Sequence, residues 1–256
     1  MGAPLSLLYL GCEGVLVRSG GVAVLIDGLF GDEGAPFAMP GADALSALRA
    51  ARAPFDGVDA VIATHVHGDH FDADLVAGYL GASPRTHFVS TPQAAGKLVG
   101  VSGAAFAERV HAIPPREGTR QTVQAGGVRV ECFGLSHGKV NYADVEHIGV
   151  LVRLGERSVV HLGDGIIDEK SLRAAGVPEE ATDVGVLPFW FLTYPFGRRL
   201  AGRGFKPRAR FAVHIRVGER EQVVNEILET GDAVPLIEPL SRYRVEMNGR
   251  VIPEEA

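Results

Sequence analysis

The chain has 256 residues, 46% of them hydrophobic and 22% charged, ordinary globular usage that excludes a disordered chain, a collagen-like repeat and a coiled coil. Twenty-five basic and 31 acidic residues give a net charge of −6, without the basic runs that non-specific nucleic-acid binding needs. Thirty-three glycines beside only 7% aromatics point to many tight turns rather than a helical bundle.

The N-terminal stretch from Met1 to Leu10 is apolar but has no basic leader and no cleavage signature, and it is too short to span a bilayer. It is expected to be the first strand of a cytoplasmic protein, with a trimmed secreted precursor as the alternative. Three short β-like runs follow one another, Leu5–Leu10, Gly14–Arg18 and Val22–Ile26, divided by Gly11 and by Ser19-Gly20-Gly21, which is turn chemistry. After the Gly/Pro-rich loop 31–40, a helix is expected over Ala42–Arg52, ending before Pro54. A short buried-type strand, Val58–Ala63, then runs straight into Thr64-His65-Val66-His67-Gly68-Asp69-His70.

Beyond that string the pattern predicts a helix over 71–80, a strand over 86–90 and a helix over 92–99 that opens on Pro92. Consecutive strands are expected at 108–113, 121–124, 128–133, 148–154 and 158–162. A helix over 168–175, a strand over 183–187, an aromatic loop, a strand over 209–213 and a helix over 219–229 complete the chain. Strands with and without intervening helices in both halves fit two sheets packed together with helices outside. Nothing in the composition marks a linker, so one domain over 1–256 is expected.

The segment His65-x-His67-x-Asp69-His70 carries the chemistry. Residues i and i+2 of an extended chain face one side, so His65 and His67 can address one object. Asp69 and His70, at the start of the following helix, can address a second object beside it. Imidazole and carboxylate form the donor set for zinc, iron and manganese, and imidazole-rich sites suit zinc best. His137, Asp164 and His214 each end an apolar run, so ligands on separate strand ends can converge along one sheet edge. Cys12 and Cys132 lie far apart without a CxxC partner and are read as buried strand residues, not as metal ligands.

This ordered set, HVHGDH followed by a His, a Gly-Asp and a late His, resembles the metallo-β-lactamase fold superfamily of metal-dependent hydrolases, and the resemblance covers nearly the whole chain. It implies an α+β fold, a four-layer αβ/βα sandwich with a two-metal site at one edge. By position, it assigns His65, His67 and His137 to one metal, Asp69, His70 and His214 to the other, and Asp164 to both. It gives Asp27 and His161 a supporting place behind the ligands and Asp69 a catalytic role, orienting water and carrying its proton. Two divalent ions, zinc favoured and manganese or iron as alternatives, hold a bridging hydroxide in such sites.

The implied reaction is hydrolysis of a small-molecule ester, lactone or phosphoester. Penicillin-degrading members usually carry a cysteine on the second metal and no bridging carboxylate, so Asp164 argues against that role. Many phosphodiesterase-like and RNA-processing relatives carry Thr where this chain has Gly165, which with the acidic charge disfavours a nuclease and nucleic-acid partners. The pattern is closer to lactonase-like branches. Flavodiiron oxygen reductases replace an imidazole of the first motif with a carboxylate, whereas His67 stands here. A non-catalytic metal binder of the same fold and a phosphodiesterase- or nuclease-type hydrolase remain as alternatives. Trp190, Tyr194 and Arg198 are the weaker candidates for substrate contact, and His87, His111 and His147 are read as structural.

Overall fold

The structure, a computed structural model, describes residues 3–31, 36–116, 119–138, 142–166, 173 and 181–255. The expected helix over 168–175 lies outside these apart from residue 173. Fifteen strands are found among the described residues, in two sheets.

The first sheet begins with an antiparallel meander, β1 (Leu5–Gly11), β2 (Gly14–Ser19) and β3 (Val22–Ile26). Gly20 and Gly21, both at positive φ, close the β2–β3 hairpin, which suits left-handed turn positions. From β3 the sheet becomes parallel through β4 (Ala60–Ile62), β5 (His87–Ser90) and β6 (Val110–Ala112). The intervening crossovers carry helices α1 (Ala42–Arg49), α2 (Ala73–Ala82) and α3 (Pro92–Ser102). Asp72 caps α2 by accepting from the Leu75 N–H, and Pro92 occupies the first turn of α3, where its missing N–H costs nothing.

The second sheet repeats the plan. β7 (Arg120–Ala125), β8 (Val128–Gly134), β9 (Ile148–Leu154) and β10 (Arg157–His161) are antiparallel. β11 (Val184–Pro188), β12 (Ala209–Val213) and β13 (Val234–Pro235) then add in parallel. The aromatic segment, expected as a loop, is mostly helical, with α4 (Trp190–Thr193) and α5 (Pro195–Leu200); Pro195 restarts the helix at the position where proline is tolerated. α6 spans Arg220–Thr230 and ends on Gly231 at positive φ. The chain then returns to the first sheet as β14 (Arg242–Val245) and β15 (Val251–Glu254), two strands not foreseen from the sequence.

Period-2 alternation divides the apolar residues between two faces. Leu5, Leu7, Val15, Val17, Val24 and Ile26 meet Val130, Val150, Val152, Val184, Val186 and Phe211 between the sheets. The alternate residues Leu10, Leu25, Val61 and Phe88 pack beneath α1–α3. On the far side Leu151, Val160, Leu187 and Ala212 pack beneath α4 and α6 with Phe191 and Ile227. The result is the expected αβ/βα sandwich.

Strand direction fixes where function can sit. β1 runs parallel to β3 and β4, since two antiparallel steps separate β1 from β3. By the same count β8 runs parallel to β10, β11 and β12. The carboxyl ends of these strands therefore share one edge in each sheet, the usual place for ligand sites in open sheets. The two edges are joined where Ile148 N donates to Thr64 O at 3.0 Å and His214 N donates to Cys12 O at 3.0 Å.

Candidate metal centre

At this shared edge the loop after β4 turns through His65, His67, Asp69 and His70. Its anchor is Asp27, buried at the end of β3 with φ +47. The Asp27 carboxylate accepts from Thr64 N and Thr64 Oγ1, both at 2.7 Å, and lies 2.9 Å from His70 Nδ1. A carboxylate on one ring nitrogen leaves the other, His70 Nε2, as a donor facing the cavity. Thr64 Oγ1 lies 3.0 Å from His65 Nδ1 and braces that ring likewise.

The second sheet delivers one residue per strand end: His137 after β8, Asp164 after β10 and His214 after β12. Gly163 precedes Asp164 at φ +51, and a Cβ there would sit 2.6 Å from Thr64 Oγ1. Glycine therefore permits the close approach of the two sheets that brings Asp164 to the histidines.

All seven residues predicted as ligands come together, in two groups. His65, His67, His137 and Asp164 present donor atoms within 4.8 Å of one another. His65 Nε2 and His137 Nε2 lie 3.1 and 2.9 Å from His67 Nδ1. Asp69, His70 and His214 form the other group, also within 4.8 Å. The Asp164 carboxylate faces both. Its Oδ2 is 3.6 Å from His137 Nε2 and 4.0 Å from His65 Nε2. Its Oδ1 is 3.3 Å from His70 Nε2 and 3.2 Å from His214 Nε2.

The electrostatics suit cations. Burial holds the His65, His67 and His137 imidazoles below their ordinary range, so they stay neutral with lone pairs available. Burial also acts to lower His70, but Asp164 beside it and the hydrogen bonds to Asp164 and Asp27 prevail and hold it well above normal. Desolvation works against the Asp164 carboxylate, yet His70 and His214 keep it well below the carboxylate range. Converging neutral nitrogens around ionised carboxylates are a donor set that fits divalent metal.

Of the supporting residues, His161 is buried on β10; its Nε2 lies 3.0 Å from Glu13 O and its Nδ1 accepts from Gly163 N at 3.1 Å. It thus ties the β1–β2 turn to the Asp164 loop. Trp190 stands beside the centre, its ring centroid 5.0 Å from that of His214 and its Nε1 donating to Gly165 O at 3.1 Å. Tyr194 and Arg198 are exposed, and neither makes a ring contact or hydrogen bond with the seven donors among the described residues.

Tyr142 and Glu13 carry no signal in the sequence, and His147 is read there as structural. Tyr142 stacks on His137 at 4.9 Å and meets His67 edge-on at 5.2 Å, while Phe37 meets His214 at 4.7 Å; with Trp190 they form aromatic walls. His147 is buried against His65 and His137, with centroids at 5.1 and 5.6 Å. Neither of its ring nitrogens has a hydrogen-bond partner, and burial pushes it down to about 3. Glu13 is buried with neither carboxyl oxygen hydrogen-bonded, Oε2 lying 3.9 Å from His161 Nδ1. Cys12 corrects an expectation as well. It is buried, as read, but it lies in the turn between β1 and β2 rather than in a strand, and its Sγ is 3.7 Å from Asp69 Oδ2 and 3.9 Å from His70 Nε2. By contrast His87 and His111 stack on each other, with their ring nitrogens 3.0 Å apart, on β5 and β6.

Residues 23–188, well over half of the chain, match a family model described as a beta-lactamase superfamily domain. No functionally curated protein matches the chain in sequence. Among solved structures, the chain is similar to Igni18, a metallo hydrolase from Ignicoccus hospitalis, at 17% identity and a TM-score of 0.62, covering 95% of this chain and 99% of that one. An isothiocyanate hydrolase from Delia radicum gut bacteria aligns at 16% identity and 0.59, covering 91% and 97%. CmlA, a diiron beta-hydroxylase from Streptomyces venezuelae, aligns at 15% identity and 0.56, covering 96% of this chain and 54% of that one. At these identities the likeness is one of fold.

Proposed function

The chain belongs to the beta-lactamase superfamily, and from that premise we propose that it is a hydrolase holding two divalent cations, with zinc favoured, that cleaves a small-molecule ester, lactone or phosphoester. The observation that carries this reading is the Asp164 carboxylate, whose two oxygens face two separate donor groups. His65, His67 and His137 are the residues for one cation, and Asp69, His70 and His214 for the other. When bound, such cations lower the pKa of water toward neutrality and polarise a substrate oxygen.

The chain's own residues supply the rest. Asp27 and Thr64 hold His70 and His65 in the orientation that turns Nε2 toward the other donors. Asp69 is a quarter exposed, twice as open as Asp164, so its carboxylate oxygen is placed to orient an incoming water and pass its proton to the leaving group. Phe37, Tyr142 and Trp190 give the entrance apolar walls, which suit a small molecule with an apolar part.

His67, standing where flavodiiron oxygen reductases carry a carboxylate, supports hydrolysis over iron redox chemistry, for which the fold likeness to a diiron hydroxylase argues. The test combines elemental analysis with a panel of chromogenic esters, lactones and phosphoesters. We expect two equivalents of metal per chain and a hydrolytic activity that a chelator abolishes, zinc restores and His67→Ala removes. Full activity in a metal-free preparation, or no hydrolysis of any panel member by the loaded protein, would overturn the proposal.

A further inference from the structure

The two-residue turn between β1 and β2 enters the centre at the second group. β1 ends at the same edge as β3 and β4, so the turn Cys12-Glu13 projects over that edge rather than away from it. Cys12 adopts φ +45, a conformation that costs energy in a residue with a side chain and persists only where the surroundings impose it. Three contacts impose it here. Cys12 O accepts from His214 N at 3.0 Å and from Tyr9 Oη at 3.4 Å, and Glu13 O lies 3.0 Å from His161 Nε2.

The side chains then complete a donor set. Cys12, Asp69, His70 and His214 present four ligand-type atoms within 4.8 Å of one another. Cys12 Sγ is 3.7 Å from Asp69 Oδ2 and 3.9 Å from His70 Nε2, and His214 Nε2 is 4.0 Å from Asp69 Oδ2. Nitrogen, oxygen and sulfur donors bind a shared ion at about 2.0–2.3 Å, so donor atoms all within 4.8 Å of one another can reach one cation together. Glu13 is the independent sign that the turn addresses a cation: a fully buried carboxyl whose two oxygens have no hydrogen-bond partner, Oε2 lying 3.9 Å from His161 Nδ1, and which stands within 4.8 Å of the His70 and Asp164 donor atoms. Cys132, the other cysteine, packs in the apolar layer between the sheets.

We propose that Cys12 supplies a sulfur donor to the second cation position, beside Asp69, His70 and His214. This rests on the two-cation reading above. On binding, the S–H bond breaks, its electron pair becomes the donor to the cation, and the proton leaves to water. A soft thiolate at this position favours zinc or cobalt over manganese, so the two positions differ in selectivity: three imidazoles at one, a mixed sulfur, nitrogen and oxygen set at the other.

The experiment loads the metal-free full chain with cobalt(II) and records its absorption spectrum alongside cobalt analysis. A near-ultraviolet sulfur-to-cobalt charge-transfer band is expected in the wild type and in Cys132→Ser, whose only thiol is Cys12. In Cys12→Ser the band is lost, the visible d–d bands persist, and affinity for the second equivalent falls at least about tenfold. Because Cys132→Ser assigns the band without altering Cys12, the result does not depend on the folding of Cys12→Ser. Two cobalt ions bound with no such band, or a band that vanishes in Cys132→Ser, overturns the proposal while leaving the two-cation reading intact. No cobalt bound at all overturns both.

Discussion

The two sheets reach the same edge but furnish it differently. The first sheet places four donors in one loop of six residues, braced from below by a single buried carboxylate, Asp27. The second sheet contributes one donor from each of three strand ends, with no single carboxylate bracing them among the described residues. The difference teaches where each half is vulnerable. The loop fails through its support, whereas the strand-end donors fail one at a time.

The largest effect is expected from Asp164→Ala, which deletes the only carboxylate that faces both donor groups among the described residues. Outer supporting partners of metal ligands typically cost about 10–100-fold in affinity or activity, so removal of this shared donor should exceed 100-fold in kcat/KM. Metal content should fall from two equivalents to one or fewer. Asp27→Asn attacks the brace instead. It removes the charge that pairs with His70 and should cost about 10–100-fold, read by cation titration as weaker binding of the second equivalent more than the first. No weakening of either equivalent would erase the contrast between the sheets.

A third change probes the seam between the sheets. His147 is buried with two unpartnered ring nitrogens, and such a group costs about 1–3 kcal/mol relative to an apolar one of similar shape. His147→Phe should therefore raise the urea midpoint of the metal-free chain, by about 1 kcal/mol in stability. A lowered midpoint would mean that His147 has a hydrogen-bonding task. The smallest effect is expected at the wall. Trp190→Ala removes an edge-to-face contact with His214, worth about 0.5–1.5 kcal/mol, and should raise KM severalfold with little change in metal content or kcat.

The same contrast governs what the sequence discloses. HVHGDH after an apolar strand is legible because four donors sit in one string. His137, Asp164 and His214 are legible because each polar residue closes an apolar run. Cys12 and Glu13 are not, since a two-residue turn after Gly11 reads as punctuation. Only the pairing of β1 with β2 and the left-handed Cys12 backbone turn it toward the metal edge. Tyr142 and His147 lie in a polar stretch between strands and acquire meaning from rings brought in by distant strand ends. The strands β14 and β15 are short and half-exposed along the sheet border, so they lack the apolar run that announced the interior strands. The fold as two helix-covered sheets came through because its interior strands, antiparallel and parallel alike, are buried on both faces and read as apolar runs.

The most direct test of the account is a crystal structure of the zinc-loaded chain with anomalous diffraction recorded at the zinc edge. Two peaks are predicted, one among His65, His67 and His137 and one among Asp69, His70 and His214, with the Asp164 carboxylate between them. A single peak, or zinc held away from these seven side chains, would contradict it.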